Sequence, residues 1–216
     1  MVWQKIDGIE VSNAVKDILK NAVEKLSSEN VVPCLATVLV GDDPASATYV
    51  KNKHIACEKI GIKTKDHKLS ADTTQNELDE IINELNNDKN VHGILVQLPL
   101  PKQLDEFATI SRISPIKDVD GLTPQNVGLL SIGKSILKPC TPSGIMEMFY
   151  YYKINLEGKN VVMITSAFLQ YSFRLLVFEW HEITVALFCN SKWYSGFPIR
   201  LLLLIMTTFF PSRLIL

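Results

Sequence analysis

Glycine and aspartate both run out well before the chain ends. Of the ten glycines in 216 residues, only Gly196 lies beyond Gly158, and no aspartate follows Asp120. A GxGxxG-type phosphate loop therefore cannot be built after Gly158, because backbone must approach a pyrophosphate there without an intervening Cβ. Only Glu179 and Glu182 remain in that stretch as acids for a ribose. The four cysteines, Cys34, Cys57, Cys140 and Cys189, form no CxxC pair. The four histidines, His54, His67, His92 and His181, are isolated and show no metal-ligand spacing. Residues 1–8, Met-Val-Trp-Gln-Lys-Ile-Asp-Gly, lack the apolar core of a secretory leader, so the scattered thiols read as reduced core residues of a cytoplasmic protein. A net charge of −1 leaves no basic footprint for nucleic acid or an anionic membrane. The apolar run Leu201–Phe210 is too short for a membrane helix and stops at Pro211; as structure it reads as a buried or aggregation-prone strand.

What is present is an alternation of strand and helix patterns. Ser12 can cap a helix in which Ala14, Val15, Ile18, Leu19, Ala22, Val23 and Leu26 recur at helical spacing. The apolar run Pro33–Val40 suits a strand buried on both faces. Gly41-Asp-Asp-Pro44 turns into a helix with Val50, Ile55, Ala56 and Ile60 on its buried side, closed by Gly61. Residues 62–69 read as an edge-like strand, 74–85 as an amphipathic helix, and Gly93 to Leu98 as a buried strand that stops at Pro99 and Pro101. A helix follows near residues 104–110, and Thr141-Pro142 reads as a cap with proline at the first helical position, opening a helix to about Tyr151. Gly158–Ile164 begins a second unit of the same kind. The fold class is α/β with a mostly parallel sheet, and the domain boundary falls between residues 140 and 158, giving parts 1–145 and 146–216.

Three stretches carry the chemistry. In Ser46-Ala-Thr-Tyr49-Val-Lys-Asn-Lys53, Tyr49 and Lys53 are four apart and share a helix face. They are either a solvated pair or a flat platform beside a proton carrier. Gln97 interrupts an apolar strand near its C-terminal end, where α/β sheets place ligand-binding groups. It is either a core amide satisfied by backbone or a partner for Lys53 or a water. Asp118 and Asp120 flank Val119 ahead of Gly121. They form either an Asx-type turn or a carboxylate site for two parallel N–H donors of a flat heterocycle.

Taken together, Ser46-xx-Tyr49-Val-xx-Lys53, Val96-Gln97-Leu-Pro-Leu-Pro101 and Lys117-Asp-Val-Asp120-Gly121 resemble the bifunctional methylenetetrahydrofolate dehydrogenase/methenyltetrahydrofolate cyclohydrolase family. Pro139-Cys-Thr-Pro142-Ser-Gly144 and Gly158-Lys-Asn-Val-Val are similar to its pattern too, so the likeness spans residues 1 to about 164. The resemblance implies an N-terminal catalytic domain and a Rossmann-like NADP-binding domain, a folate substrate, folate one-carbon interconversion, and a homodimer formed through the cofactor domain. It implies that Tyr49 packs along the folate, that Lys53 is the acid/base of the cyclohydrolase step, that Gln97 tunes Lys53, and that Asp120 grips the pterin. A lysine can serve near neutral pH when an apolar cleft or a second cation lowers its pKa.

The likeness breaks after Ile164. Where the family carries a glycine-rich Gly-Arg-Ser turn, this chain reads Thr165-Ser166-Ala167, so the cofactor site is expected to be lost or damaged and the dehydrogenase step impaired. Seven of the nine phenylalanines fall after residue 165. One echo remains, in that residues 183–192 resemble the second Rossmann strand and its following Ser-Lys. The family's later Pro-Gly-Gly-Val-Gly-Pro loop has no counterpart in these 216 residues. A frameshifted or degenerated reading frame after about codon 164 accounts for this shift, and a divergent lid or partner-binding tail is the other reading. A non-catalytic folate-binding or dimer-forming remnant is the functional alternative. Translating the coding DNA beyond codon 164 in all three frames tests the first account. A second frame is expected to encode the Gly-Arg-Ser turn, and its absence from every frame would leave the tail with a history of its own.

Overall fold

The structure, a computed structural model, describes residues 5–157 and, by backbone alone, the strand segments 160–164, 184–189, 192–193, 204–205 and 214–215. The chain divides into two compact units, one of residues 16–127 with 136–138, the other of residues 1–15, 128–135 and 139–216.

The first unit is built on a three-stranded parallel sheet of β2 (Cys34–Val40), β3 (Lys63–Leu69) and β4 (Gly93–Val96) in the order β3-β2-β4. β2 is central, and its last five residues are all buried, as its unbroken apolar run requires. β3 is the edge strand expected from its mixed composition, with exposed residues along most of its length. Side chains alternate across the sheet. Ala36, Val38, Val40, Ile94 and Val96 face one way and pack with Leu78, Ile82 and Leu85 of α3 (Gln75–Asn87). Thr74 and Glu77 close a reciprocal capping box at the start of α3. The opposite sheet face carries Thr37, Leu39 and Leu95 and lies under α2 (Pro44–Ile60).

Several local expectations shift. The first helix, α1, runs Gly8–Ser28 and is capped by Asp7, whose Oδ1 accepts from the Ile9 N–H at 3.0 Å; Ser12 lies a turn inside it. Ile55 is 40% exposed, because the buried stripe of α2 runs through Ser46, Val50 and Ile60 and leaves Ile55 to one side. The fourth helix, α4, spans Glu106–Arg112 under an Asp105 cap. A helix absent from the sequence expectation, α5 (Pro124–Ser131), follows Thr123. Thr141-Pro142 is not the start of α6, which spans Cys140–Tyr151 with Pro139 at its cap. Proline is tolerated in that first turn because its missing N–H would have had no intrahelical partner. The three cysteines whose side chains are described are not core residues either: Cys34 and Cys57 are half-buried, and Cys140 is exposed.

In the second unit, β1 (Lys5–Ile6) pairs antiparallel with β9 (Leu214–Ile215), which also pairs with β8 (Leu204–Ile205). β5 (Asn160–Ile164) and β6 (Thr184–Cys189) are parallel, and β7 (Lys192–Trp193) turns back along β6. The two carboxylate oxygens of Glu10 accept from Tyr151 Oη at 3.0 Å and Tyr152 Oη at 2.8 Å, tying the start of α1 to the end of α6. Thr165, Ser166 and Ala167, and residues 201–210 apart from Leu204–Ile205, lie outside the described residues. No described helix is long and apolar enough to cross a membrane.

Gly61 ends α2 at φ +83°, where a side chain is strained, and an added Cβ would lie 3.3 Å from Val23 Cγ1. Gly61→Ala is expected to lower stability by about 1–2 kcal/mol, the cost of the left-handed conformation for an L-residue, measured by urea denaturation.

Candidate functional site

The sequence-predicted residues Tyr49, Lys53, Gln97 and Asp120 all belong to the first unit. Each is delivered by a different local device. At the head of α2, Gly41 turns the chain at φ +85° and Asp43 caps the helix. Asp43 Oδ2 accepts from the Ser46 N–H at 2.7 Å, and this bond holds the Asp43 carboxyl below its ordinary pKa. Ser46 and Val50 are buried against the sheet, which sets the rotation of the helix. Lys53 emerges half-buried, and Tyr49, one turn earlier, is 45% exposed.

Gln97 is not inside β4 but directly after it, where its backbone N–H still bonds to Val38 O at 2.9 Å. Leu98–Pro99 is a cis peptide, and the turn beyond is held by the Leu100 N–H donating to Glu106 Oε1 at 2.9 Å. The side-chain amide of Gln97 donates from Nε2 to Leu98 O at 2.7 Å. Its Oε1 is buried with no hydrogen-bond partner. A buried carbonyl oxygen left unmatched is costly, and the same property lets it receive an N–H or O–H from an incoming group.

The loop Lys117-Asp118-Val119-Asp120-Gly121 is anchored residue by residue. The Lys117 ammonium donates to three carbonyl oxygens at the end of α3, those of Leu85, Asn86 and Asp88, at 3.0, 2.8 and 2.8 Å. Its own carbonyl accepts from the Ile94 N–H at 2.7 Å, adding one parallel bridge beside β4. Asp118 is buried, and its Oδ2 accepts from the Thr123 N–H and from Asn126 Nδ2, both at 2.8 Å. Val119 packs so closely over Gly93 that a Cβ there would come within 2.5 Å of Val119 Cγ1. Gly121, at φ +64°, completes the turn with its N–H on Asp118 O at 3.2 Å.

The turn reading holds for Asp118, whose carboxylate is spent on the start of α5. Burial pushes the Asp120 carboxyl above its ordinary pKa; the nearby Lys53 ammonium draws it back and Asp118 pushes it up again. Lys53 and Asp120 are thus within electrostatic reach of each other. Tyr49 lies one helical turn from Lys53, and Gln97 Oε1 makes no bond to Lys53. Sequence inspection missed Lys117, Thr123 and Asn126 as supports of Asp120; the one available signal was Thr123-Pro124, a cap-and-proline pair like Thr141-Pro142.

The fold and this loop define an α/β domain in which a half-buried lysine on α2 acts electrostatically on a carboxyl group in an anchored loop beside β4. The family profile for the tetrahydrofolate dehydrogenase/cyclohydrolase catalytic domain matches residues 6–120. The chain belongs to that family. It is 68% identical over 164 residues to the bifunctional protein FolD of Nitrosopumilus maritimus, covering 76% of this chain and 57% of the relative. With the FolD of Cenarchaeum symbiosum the identity is 60% over 159 residues, covering 74% of this chain and 56% of the relative. The chain thus spans less than two thirds of the length of these curated relatives. The crystal structure of the bifunctional FolD methylenetetrahydrofolate dehydrogenase/cyclohydrolase from Campylobacter jejuni is similar with a TM-score of 0.79 and 42% identity, over 87% of this chain and 67% of that one. The Trypanosoma brucei enzyme, solved with NADP cofactor and an inhibitor, gives a TM-score of 0.79 and 32% identity, over 89% of this chain and 66% of that one.

The Asp120 shift has a sign that can be checked. A carboxyl whose folded pKa is raised costs nothing below the ordinary value of 3.8, where it is protonated folded and unfolded alike. The cost grows as pH rises through the folded pKa and is complete above it. Asp120→Asn is therefore expected to be at least as stable as the parent chain at pH 7, with any advantage shrinking toward pH 3.8, as measured by urea midpoints across that range.

Proposed function

We propose that this chain acts in folate one-carbon interconversion and that its described residues serve the cyclohydrolase step, hydrolysis of methenyltetrahydrofolate to formyltetrahydrofolate. The observation that carries the reading is that the Lys53 ammonium acts electrostatically on Asp120, half-buried in an anchored loop, within a segment matched by the family profile. Lys53 is the proton carrier. The methenyl substrate is a cationic amidinium. Water adds to its bridging carbon and gives up a proton to a neutral Lys53, forming a tetrahedral intermediate. The resulting ammonium then protonates the ring nitrogen as its C–N bond breaks, leaving the formyl product. One proton is released overall.

The other residues bind and orient. Asp120 receives the pterin's amino and ring N–H groups as parallel donors, and those donors offset the burial that otherwise raises its pKa. Tyr49, exposed and one turn from Lys53, gives the folate a flat surface. The unmatched Gln97 Oε1 is the acceptor that holds the Lys53 ammonium or the attacking water.

The domain reading follows the same line, with residues 1–145 as the catalytic domain and 146–216 as a partial, divergent Rossmann-like domain. The parallel β5–β6 pair supports it. In relatives that domain would hold NADP, which supplies hydride acceptance when bound. The glycine-free Thr165-Ser166-Ala167 does not fit a phosphate cradle. The dehydrogenase half is therefore impaired in this chain. Homodimerisation through that domain is impaired on the same ground.

Lys53→Met is expected to abolish methenyl hydrolysis by the purified chain while leaving its circular dichroism and unfolding midpoint unchanged. Turnover equal to the parent's would remove Lys53 from the mechanism. Folate binding without any hydrolysis in the parent would favour a non-catalytic remnant.

A further inference from the structure

Between the two aspartates of the 117–121 loop stands an apolar residue, Val119, whose seat is made by a glycine. Gly93 opens β4, is buried, and pairs in register with Leu35 of β2. A Cβ added at Gly93 would lie 2.5 Å from Val119 Cγ1, 3.4 Å from Leu35 Cδ1 and 3.9 Å from Val119 Cβ. Carbon atoms do not pack at the first of these distances, so a Val119 methyl fills the space that any side chain at position 93 would need. Side chains alternate along a strand, which puts that space on the sheet face shared with Leu95, under α2.

The rest of the loop runs along the outer edge of β4. Toward β2, the Gln97 N–H reaches Val38 O at 2.9 Å. On the other edge, the Ile94 N–H donates to Lys117 O at 2.7 Å, and Asp118 forms a parallel bridge with Ile94. Lys117 and Asp118 are fixed by hydrogen bonds, the first at the end of α3 and the second at the start of α5. On the far side, Gly121 turns the chain at φ +64° and brings no side chain to pack. Asp120 therefore takes its direction from Val119. Valine is β-branched and stiff at χ1, so a seated methyl also holds the backbone of its own residue, and with it the path into Asp120.

We propose that Val119 is a positioning residue for Asp120: packed into the space that Gly93 leaves without a side chain, it seats the loop against β4 and sets where the Asp120 carboxyl stands. The inference deepens the cyclohydrolase reading and rests on it for its consequence in folate binding. The seating itself is a property of the folded chain and is measured without ligand.

The test uses the full 216-residue chain and compares two amide protection factors in native-state hydrogen exchange. The Ile94 N–H, bonded to Lys117 O, reports the seating of the loop, and the Gln97 N–H, bonded to Val38 O, reports the pairing of β4 with β2. Gly93→Ala is expected to lower Ile94 protection about tenfold or more while Gln97 stays within about twofold, because the new methyl must push the loop away. Adding Val119→Ala removes the clashing methyl and leaves the 3.9 Å contact to Cβ, so the double variant is expected to recover most of the lost protection. Should Gly93→Ala fail to fold, Val119→Ala alone gives the readout, with a loss of about threefold or more from the emptied seat. Unchanged Ile94 protection in the variant that folds, or an equal fall at Gln97, overturns the proposal, as does a double variant no better protected than a folded Gly93→Ala. Titration with tetrahydrofolate reads the consequence. The single variant that folds should bind about threefold or more weakly, and the double variant should bind nearly as the parent does. Intact binding in that single variant, with binding lost in Asp120→Asn, also overturns the proposal. Unchanged binding in Asp120→Asn, or no binding by the parent chain, would sink the pterin-binding role of Asp120, and the exchange result alone then decides whether Val119 seats the loop.

Discussion

The buried carboxyl of Asp118 is the interaction on which the site depends. Its Oδ2 takes hydrogen bonds from the Thr123 backbone and the Asn126 side chain, and Asn126 in turn donates to Pro115 O at 2.9 Å. One oxygen thereby fixes both the entry and the exit of the loop that carries Asp120. A polar group sealed from water must be matched, and once matched it is far more directional than an apolar contact. Lys117 does the corresponding task on the other side by satisfying carbonyls at the end of α3. Between these two anchors the chain has little freedom left, and Asp120 is presented because its neighbours are held.

That arrangement places a carboxyl group where burial works against it. Asp120 is raised by desolvation and only partly relieved by Lys53. Gln97 carries a similar tension, with a buried oxygen and no bond. The Gln97 oxygen is a local violation of polar satisfaction in a unit whose core is continuous and apolar. Such violations collect where a ligand will supply the missing partner. Gly93, the first residue of β4, is covered so closely by Val119 that an added Cβ would meet it at 2.5 Å. Stability is held in the sheet and α3, and the unmatched Gln97 oxygen lies just past the carboxyl end of β4.

The composition change after Ile164 bears on the two halves of the family's chemistry unequally. In the proposed reading, hydrolysis of an amidinium needs a proton carrier and an orienting carboxylate, and both are assigned to residues before 121. Hydride transfer needs a nucleotide seated against glycine backbone, and the chain is poor in glycine where that seat belongs. The family profile matches residues 6–120, which include every residue of the first set.

The sequence by itself determined the α/β alternation, the central position of the Pro33–Val40 run, the edge character of β3, and the four residues around which the proposed chemistry is built. These are local or compositional signals: unbroken apolar runs, period, and residue types at fixed spacing. It misjudged helix starts where the signals were degenerate. Thr-Pro occurs twice, and it opens a helix at Thr123-Pro124 but sits inside the first turn at Thr141-Pro142. Only the tertiary structure could decide which aspartate of Asp118-Val-Asp120 supports and which is presented, because that depends on Asn126 folding back against the loop. It also joined Thr37, His54 and Asp66, three polar residues that look unrelated along the chain. Hydrogen bonds between distant residues leave no period in a sequence, so this cluster became visible only once the sheet brought the strands side by side.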